Sequence, residues 1–176
     1  PQPGETILDL CAAPGGKTTA IAARMNNQGR IVSVDSDPER LMLLAQNCSR
    51  LGVECVEAHP ADAFKAKPAT FDRILIDAPC SNTGVMRRRV DLRWRIRPEE
   101  IKRLAGEQSA LLTQALPLLK PGGTLVYSTC SLEPEENHDQ IQKLLADHPD
   151  LRLEHERQLH PVNDGVDGAY VALLPK

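Results

Sequence analysis

The sequence predicts an α/β protein in which a mostly parallel β-sheet carries helices on both faces. Short aliphatic runs alternate along the chain with segments whose apolar residues recur at helical spacing, the pattern of repeated strand–helix–strand units. The length of 176 residues is typical of one domain. We therefore expect a single domain over residues 1–176.

Each predicted element follows from a local pattern. The strands are short aliphatic runs between turn residues: Ile7–Leu10, Ile31–Val34, Cys55–Ala58, Phe71–Ile76, Thr124–Tyr127, Leu151–Glu154 and Tyr170–Leu174. The helices are segments with one apolar face: Lys17–Met25, Pro38–Leu51, Ile101–Leu119 and Pro134–Leu145. Pro38 suits the first turn of its helix, and Pro121–Gly123 is expected to end the third helix.

Composition excludes several classes of protein. The net charge of −3 excludes a polycation that coats nucleic acid, so any contact with nucleic acid must be local. No apolar run approaches the length of a membrane span of ~20 residues, and no targeting segment opens the chain. The five cysteines form no Cys-x-x-Cys pair and have no histidine at zinc-ligand spacing. We expect a cytoplasmic monomer with reduced cysteines, no metal and no membrane contact.

The polar residues that are candidates for catalysis or ligand binding follow predicted strands. Asp35, Asp77, Cys80 and Cys130 each come just after one. In sheets of this kind, ligands bind outside the carboxyl ends of the strands. The chemistry is therefore expected at one edge of the sheet.

The segment Cys11–Lys17 could cradle a ligand, because its small residues let the backbone approach closely. A P-loop is excluded because Cys11 holds the position of the first glycine, and adjacent glycines do not fit a dinucleotide fingerprint. S-adenosylmethionine (SAM) remains, with Asp35 placed for the ribose hydroxyls and Asp62 for the adenine amino group. The alternative is a simple strand-to-helix turn with solvated acids.

Four motifs in order, LCAAPGGKT, VDSDPERL, DAPCSNTG and GGTLVYSTCSLEPEEN, resemble the Nop/Sun (Fmu-like) family of RNA cytosine-5 methyltransferases, and most closely its bacterial 16S ribosomal RNA members. The resemblance runs from about Gly4 to Asn137, with a weaker echo at Asp167–Tyr170. It implies the Rossmann-like class I SAM-dependent methyltransferase fold with a seven-stranded sheet. The SAM-binding residues that it implies are Cys11, Ala12, Ala13, Pro14, Gly15, Gly16, Lys17, Asp35, Asp62 and Asp77.

The resemblance also implies a role for two cysteines. C5 of cytosine is a poor nucleophile, but a thiolate that adds to C6 pushes electron density onto C5, which can then take a methyl group. Cys130 would be this nucleophile, and Cys80 of the Pro-Cys motif would help to resolve the adduct. Asp77 and Lys17 would bind the polar edge of the ring. Chemistry alone would accept either thiol as the nucleophile.

A basic segment follows the Cys80 loop. Between Arg87 and Arg103 there are eight basic and three acidic residues, with the only tryptophan, Trp94, among them. We expect RNA contacts here, from Arg87, Arg88, Arg89, Arg93 and Trp94. The alternative is a solvated loop whose arginines pair with nearby acids.

The sequence departs from the family pattern in a few places. Asn82 stands where the family has glycine, Val90 replaces a proline, and Ala169 replaces an aromatic residue. Asn tolerates a positive φ, so the turn at Asn82 can survive. The family's N-terminal RNA-binding region is not expected in this chain, which opens three residues before Gly4.

Other functions stay open at this stage. A SAM-dependent methyltransferase for tRNA or for a small molecule would share the cofactor loop, but a small molecule gives no reason for the arginine cluster. A non-catalytic RNA-binding module would bind SAM without turnover. The two strand-end cysteines favour RNA cytosine-5 methylation, and the family resemblance implies ribosomal RNA as the substrate.

Overall fold

The computed structural model describes residues 1–176 and confirms the predicted α/β class. Its seven-stranded sheet has the order β3-β2-β1-β4-β5-β7-β6. The strands are β1 (Thr6–Leu10), β2 (Arg30–Asp35), β3 (Val56–Pro60), β4 (Phe71–Asp77), β5 (Leu119–Thr129), β6 (His155–Leu159) and β7 (Ala169–Pro175).

Six α-helices connect the strands. They are α1 (Gly16–Arg24), α2 (Pro38–Leu51), α3 (Leu92–Arg95), α4 (Pro98–Ala115), α5 (His138–Asp147) and α6 (Pro161–Asp164). Pro38 occupies the first turn of α2, as predicted, and the Asp37 carboxylate caps that helix by accepting from the backbone N–H groups of Glu39 and Arg40. None of the helices combines the length and the apolar character that crossing a membrane requires.

The strand register aligns the residues that follow β1, β2 and β4. Parallel pairing places Leu10 opposite both Val34 and Ile76. The next residues along these strands, Cys11, Asp35 and Asp77, therefore lie side by side at the carboxyl edge. The β1–β2, β1–β4 and β2–β3 pairings are parallel, and the β6–β7 pairing is antiparallel.

The chain comprises two compact units, each with buried apolar side chains. The first contains residues 1–77 and 117–124, and Ile7, Ala22, Met25 and Ile31 pack together in it. The second contains residues 78–116 and 125–176, and its buried side chains include Leu112 and Tyr127. The prediction of a single domain stays a prediction.

The predicted end of the third helix is wrong. Helix α4 stops at Ala115, a short 3-10 turn covers Leu116–Leu118, and β5 already begins at Leu119. Pro117 explains the early stop, because proline lacks the N–H that helical pairing needs and disfavours helical geometry in the residue before it. Pro121–Gly123 lies within β5, where a Cβ on Gly123 would come within 2.9 Å of the Asp72 carbonyl oxygen.

Two further boundaries differ from the prediction. The predicted helix over Pro134–Leu145 divides at Asn137 into a 3-10 turn, Pro134–Glu136, and helix α5. The predicted strand Leu151–Glu154 is not a regular strand, and β6 begins at His155 instead. Arg152 and Glu154 nevertheless donate backbone hydrogen bonds to the β7 carbonyls, so the chain is already aligned with β7 before the strand starts.

Candidate active site

The loop after β1 has a tightly constrained backbone. Cys11 has φ 60° and Gly15 has φ 100°, both in the left-handed region. A Cβ on Gly15 would also lie 3.0 Å from Leu44 Cγ, so glycine is required there on two grounds. At Gly16 a Cβ would meet nothing within 4 Å, which leaves the first turn of α1 open to a ligand.

Asp35 anchors this loop. It is 4% exposed, and its carboxylate accepts from the backbone N–H of Ala13 (3.0 Å) and of Asp37 (3.0 Å). Arg40 lies 3.9 Å from the same carboxylate and also donates to the Ala13 carbonyl. Each carboxylate oxygen keeps a second lone pair, so Asp35 can hold the loop and still accept from a ligand hydroxyl.

A cavity of about 240 Å³ opens beside the loop. Its lining residues are Asp9, Cys11, Ala12, Ala13, Pro14, Gly16, Lys17 and Asp77. Lys17 Nζ lies 2.5 Å from Asp77 Oδ2, so these two predicted residues form an ion pair at the mouth of the cavity. Asp62 is exposed in the turn after β3 and does not line the cavity.

Asp9 is a site residue that the sequence analysis missed. Its side chain is fully buried in β1, where Oδ2 accepts from Thr18 Oγ1 at 2.6 Å and Oδ1 has no partner. Burial raises the pKa of this carboxyl to about 7, against the opposing effect of the Thr18 hydrogen bond. An unpaired acceptor on the wall of a cavity is suited to a ligand that donates. The available signal was a charged residue in the middle of an aliphatic strand.

The pKa of Asp9 predicts a pH-dependent stability. Between its usual pKa of 3.8 and the native value of about 7, the folded state binds a proton that the unfolded state releases. Stability therefore falls as pH rises through this window. From pH 5 to pH 8, we expect the free energy of unfolding of Asp9→Asn to rise by about 2 kcal/mol relative to that of wild type. Urea unfolding at the two pH values measures this difference. The exposed Asp62→Asn is the control, and an equal pH dependence in wild type and Asp9→Asn would contradict the assignment.

Cys11 contributes its backbone to this loop, and its thiol is not suited to act as a nucleophile. Burial, together with the negative charges of Asp35 and Asp77, raises the pKa of its thiol to about 12. The thiolate form, which is the reactive one, is therefore scarce at neutral pH. Its role in the prediction, as part of the loop that binds a cofactor, does not need the thiol.

In the second unit, Cys80 and Cys130 lie in contact. Their Sγ atoms are 3.3 Å apart, and the Cys130 backbone N–H donates to Cys80 Sγ at 3.4 Å. Cys80 follows the end of β4 by three residues, and Cys130 directly follows β5. Cys80 is buried and Cys130 is more exposed. The two predicted catalytic thiols are thus brought together, with Cys130 the more accessible of the two.

Asn82 links the two cysteines. Its amide nitrogen donates to the Cys80 carbonyl at 2.7 Å, and its amide oxygen accepts from the Cys130 thiol at 2.9 Å. Asn82 has φ 61°, the left-handed conformation that the family's glycine would adopt without strain. The departure from the family pattern at this position therefore preserves the turn and adds a side-chain contact to the thiol.

Cys80 is held in its protonated form. The Cys130 thiol beside it and its own burial both raise the pKa of Cys80 well above the ordinary value. A neutral thiol can donate a hydrogen bond to a neighbouring sulfur.

The segment Asp167–Tyr170, which weakly matches the family pattern near the C-terminus, packs against the Cys80 loop. Gly168 N–H donates to the Gly84 carbonyl at 2.8 Å, and Gly84 N–H donates to the Cys130 carbonyl at 3.0 Å. A Cβ on Gly84 would lie 2.5 Å from the Gly168 carbonyl oxygen, and a Cβ on Gly168 would lie 2.7 Å from Gly84 Cα. No side chain fits at either position, which accounts for both glycines.

The basic segment divides into paired and unpaired residues. Arg87 and Arg88 both pair with Asp167, at 3.1 and 2.7 Å, as the solvated-loop alternative anticipated. Arg95 also pairs with the acid directly before α3, and Arg103 pairs with two acids of its own helix, α4. Arg89, Arg93 and Arg97 are exposed and form no ion pair, and Trp94 between them is 81% exposed. These unpaired residues are the better candidates for phosphate contacts.

The remaining cysteines are structural, and none of the five forms a disulfide. Cys48 packs with Ala12 and Leu44 in the first unit, and Cys55 lies against a neighbouring apolar cluster. Free cysteine commonly fills this role as a small buried apolar residue. His, Cys, Asp and Glu side chains nowhere form a group of three that could hold a metal ion.

Known proteins resemble the chain over its whole length. Ribosomal RNA small subunit methyltransferase B of Erwinia tasmaniensis is 46% identical over 187 residues, which cover 100% of this chain and 43% of that protein. Probable ribosomal RNA small subunit methyltransferase B of Synechocystis is 49% identical over 181 residues, covering 99% of this chain and 41% of that protein. The chain thus spans about two fifths of the length of these curated relatives.

Solved structures show the same fold. The crystal structure of PH0851 superposes with a TM-score of 0.96 at 38% identity, covering 100% of this chain and 43% of that one. NSun6 from Pyrococcus horikoshii, crystallised with SFG, gives a TM-score of 0.89 at 33% identity, covering 100% and 49%. A SAM-dependent methyltransferase from Aquifex aeolicus, 14% identical with a TM-score of 0.67, shares the fold alone.

A protein-family model matches the chain over its whole length. The model described as 16S rRNA methyltransferase RsmB/F matches residues 1–176. The match agrees with the Nop/Sun resemblance of the four motifs. The chain belongs to the RsmB/F family of 16S rRNA methyltransferases.

Proposed function

We propose that the protein transfers a methyl group from SAM to C5 of a cytosine in ribosomal RNA, through a covalent adduct between Cys130 and C6. The observation that carries this proposal is the contact between the Cys80 and Cys130 sulfurs, 3.3 Å apart, with Cys130 the more exposed. Family membership supports the substrate class. That the protein acts as a monomer in the cytoplasm stays a prediction.

The residues around the cavity fit SAM. The buried, unpaired Asp9 Oδ1 suits the ammonium group of the methionine moiety, and the open first turn of α1 suits its carboxylate. Asp35 would accept from the ribose hydroxyls. When bound, SAM supplies an electrophilic methyl group on its sulfonium. Neither Asp35 nor Asp62 is among the residues that line the cavity, and Asp62, which is exposed and holds no part of the loop, has the weakest support among the proposed ligands.

The two thiols would act at opposite ends of the reaction. Cys130 gives its proton to water and forms the S–C6 bond, and the electron pair displaced from the C5–C6 double bond makes C5 nucleophilic. After C5 has been methylated, it gives its proton to water, the electrons of the C5–H bond re-form the double bond, and the S–C6 bond breaks with its electron pair returning to the Cys130 sulfur. Cys80, in contact with that sulfur and protonated, stabilises the departing thiolate.

Asp77 and Lys17 would bind the polar edge of the cytosine ring. A carboxylate can accept from the exocyclic amino group, and an ammonium can donate to the ring carbonyl. Both would stabilise the charge that develops on the ring during attack at C6.

Bisulfite sequencing of total RNA tests the proposed function directly. In cells that lack the protein, one ribosomal cytosine should change from protected to converted, because 5-methylcytosine resists bisulfite. The lost position identifies both the RNA and the base. Restoring the gene should restore protection, whereas a gene encoding Cys130→Ala should not. Protection that is unchanged at every ribosomal cytosine would contradict the proposal.

Loss of the Asp35 carboxylate is expected to weaken the binding of SAM by more than tenfold. The carboxylate would make two charge-assisted hydrogen bonds to the ribose, worth roughly 1.5 to 3 kcal/mol each. Isothermal titration of Asp35→Ala measures the effect. Asp62→Ala, in the exposed turn after β3, is the matched acid and reports whether the second proposed ligand contributes. Unchanged affinity in folded Asp35→Ala would remove Asp35 from the site.

The unpaired arginines are expected to set the salt dependence of RNA binding. Replacing Arg89, Arg93 and Arg97 with alanine should reduce the slope of log affinity against log salt by roughly 2, because each phosphate contact on a single strand adds about 0.7. SAM affinity should not change. The matched control replaces Arg87, Arg88 and Arg95, which are already ion-paired. An equal change of slope in both triple variants would contradict the division into paired and unpaired residues.

A further inference from the structure

A buried carboxylate connects the two cysteine-bearing turns. Glu136 is fully buried at the end of the 3-10 turn Pro134–Glu136. Its Oε2 accepts from Ser131 Oγ at 2.5 Å and also from Ser81 Oγ, while its Oε1 accepts from the Ser81 backbone N–H at 2.9 Å. Ser81 and Ser131 are the residues directly after Cys80 and Cys130. One side chain therefore holds both turns.

A second buried side chain completes this arrangement. Gln108 of α4 donates from Nε2 to Glu136 Oε1 at 3.0 Å and to the Pro79 carbonyl at 2.9 Å. The Cys80 turn is thus held on both sides, at Pro79 and at Ser81. Glu136 takes part in none of the ion pairs in the structure, so four hydrogen-bond donors and no cation compensate its carboxylate.

A buried carboxylate without a cation is costly, and fixing these turns for stability alone would not require a charge. Hydrogen bonds to a carboxylate are shorter and stronger than neutral ones, so they restrict both serines more tightly. We propose that Glu136 is a positioning residue whose charge sets the separation of the Cys80 and Cys130 sulfurs. This inference rests on the proposed function, because the separation matters to catalysis only if both thiols act on one cytosine ring.

Glutamine at position 136 isolates the contribution of the charge. It has the same shape as glutamate, and its amide oxygen can still accept from Ser81 N–H and Gln108 Nε2. Its amide nitrogen would face the two serine hydroxyls, which can reverse and accept. Every polar group keeps a partner, but the charge-assisted bonds to Ser81 and Ser131 are lost. Glu135→Gln, an exposed position on the same turn, is the matched control.

Phenylarsine oxide measures the separation of the thiols without RNA. Its arsenic bonds to both sulfurs of a close dithiol and releases one water, so the affinity depends on how well the pair is preorganised. The signal of Cys80→Ala, which lacks the pair, is subtracted. We expect Glu136→Gln to weaken chelation about tenfold and to lower kcat for RNA by about ten- to a hundredfold, the scale set by displacements of up to 1 Å. The KM for SAM and the behaviour of Glu135→Gln should not change.

The outcomes separate this inference from the proposed function. Chelation and kcat that are equal in wild type and Glu136→Gln would overturn the positioning role. Impaired chelation in Glu136→Gln, together with a wild-type protein that never forms an RNA adduct, would refute the proposed function and leave the positioning role intact. If Glu136→Gln fails to bind SAM and is thus misfolded, Ser131→Ala replaces it, since it removes a single donor to the carboxylate. Wild-type chelation by folded Ser131→Ala would then overturn the inference.

Discussion

Replacing Cys130 with alanine is expected to abolish methylation of RNA and to leave no covalent protein–RNA species. Without a thiolate at C6, C5 of cytosine does not become nucleophilic enough to take a methyl group. The rate of methyl transfer should fall roughly a thousandfold or more, the scale seen when an enzyme loses its nucleophile. Transfer of labelled methyl from SAM to RNA measures it.

Cys55→Ala is the matched control for this experiment. Cys55 is another free cysteine, but it lies against an apolar cluster in the first unit, so its loss should leave the rate of methyl transfer within a few-fold of wild type. SAM affinity should be the same in both variants. Full activity in folded Cys130→Ala would exclude Cys130 as the nucleophile.

Replacing Cys80 with alanine is expected to trap the reaction after methyl transfer. Cys130 can still attack, but it has lost the neighbouring thiol that stabilises its sulfur as the S–C6 bond breaks. We expect turnover to fall about a hundredfold or more, the range typical of losing one donor that stabilises a developing negative charge. A protein–RNA adduct that carries the methyl label should accumulate and survive denaturing electrophoresis.

The two alanine variants together test which thiol attacks. An adduct in Cys130→Ala and none in Cys80→Ala would exchange the two roles. The structure favours Cys130, which is more exposed, while Cys80 is buried with a raised pKa. Adducts in neither variant, with wild type active, would require a mechanism without a covalent intermediate.

The fold could be predicted because its strands follow simple local patterns. Aliphatic runs such as Ile7–Leu10 and Ile31–Val34 lie within strands β1 and β2. The boundaries around β5 could not be predicted, because Pro121–Gly123 has the composition of a turn but lies within the strand, where Gly123 packs close to the Asp72 carbonyl. Strand β6 is mostly polar, His-Glu-Arg-Gln-Leu, so it lacks the pattern that identifies a buried strand.

The site could be predicted only in part. The sequence predicts Asp35, Cys80 and Cys130 as site residues because they follow strands and belong to recognisable motifs. Glu136 could not be found, because a glutamate among other acids predicts a solvated surface, and its burial depends on donors from residues far away along the chain. The contact of Asn82 with the Cys130 thiol likewise depends on side-chain direction, which sequence spacing does not specify.

The separation of Arg87 and Arg88 from Arg89 and Arg93 was also beyond the sequence. All four are exposed basic residues within one short segment. Asp167, which pairs with the first two, lies far along the chain and reaches them only because Gly168 packs on Gly84. A tertiary contact therefore decides which arginines remain available to RNA.

Peptide mapping of the trapped adduct tests the central claim most directly. The Cys80→Ala protein is incubated with target RNA and methyl-labelled SAM, digested with protease and nuclease, and analysed by mass spectrometry. We predict one modified peptide, which contains Cys130 and carries a nucleotide with the added methyl group. A nucleotide on any other residue, or no modified peptide from a preparation that still methylates RNA, would contradict a Cys130–C6 adduct as the route to methyl transfer.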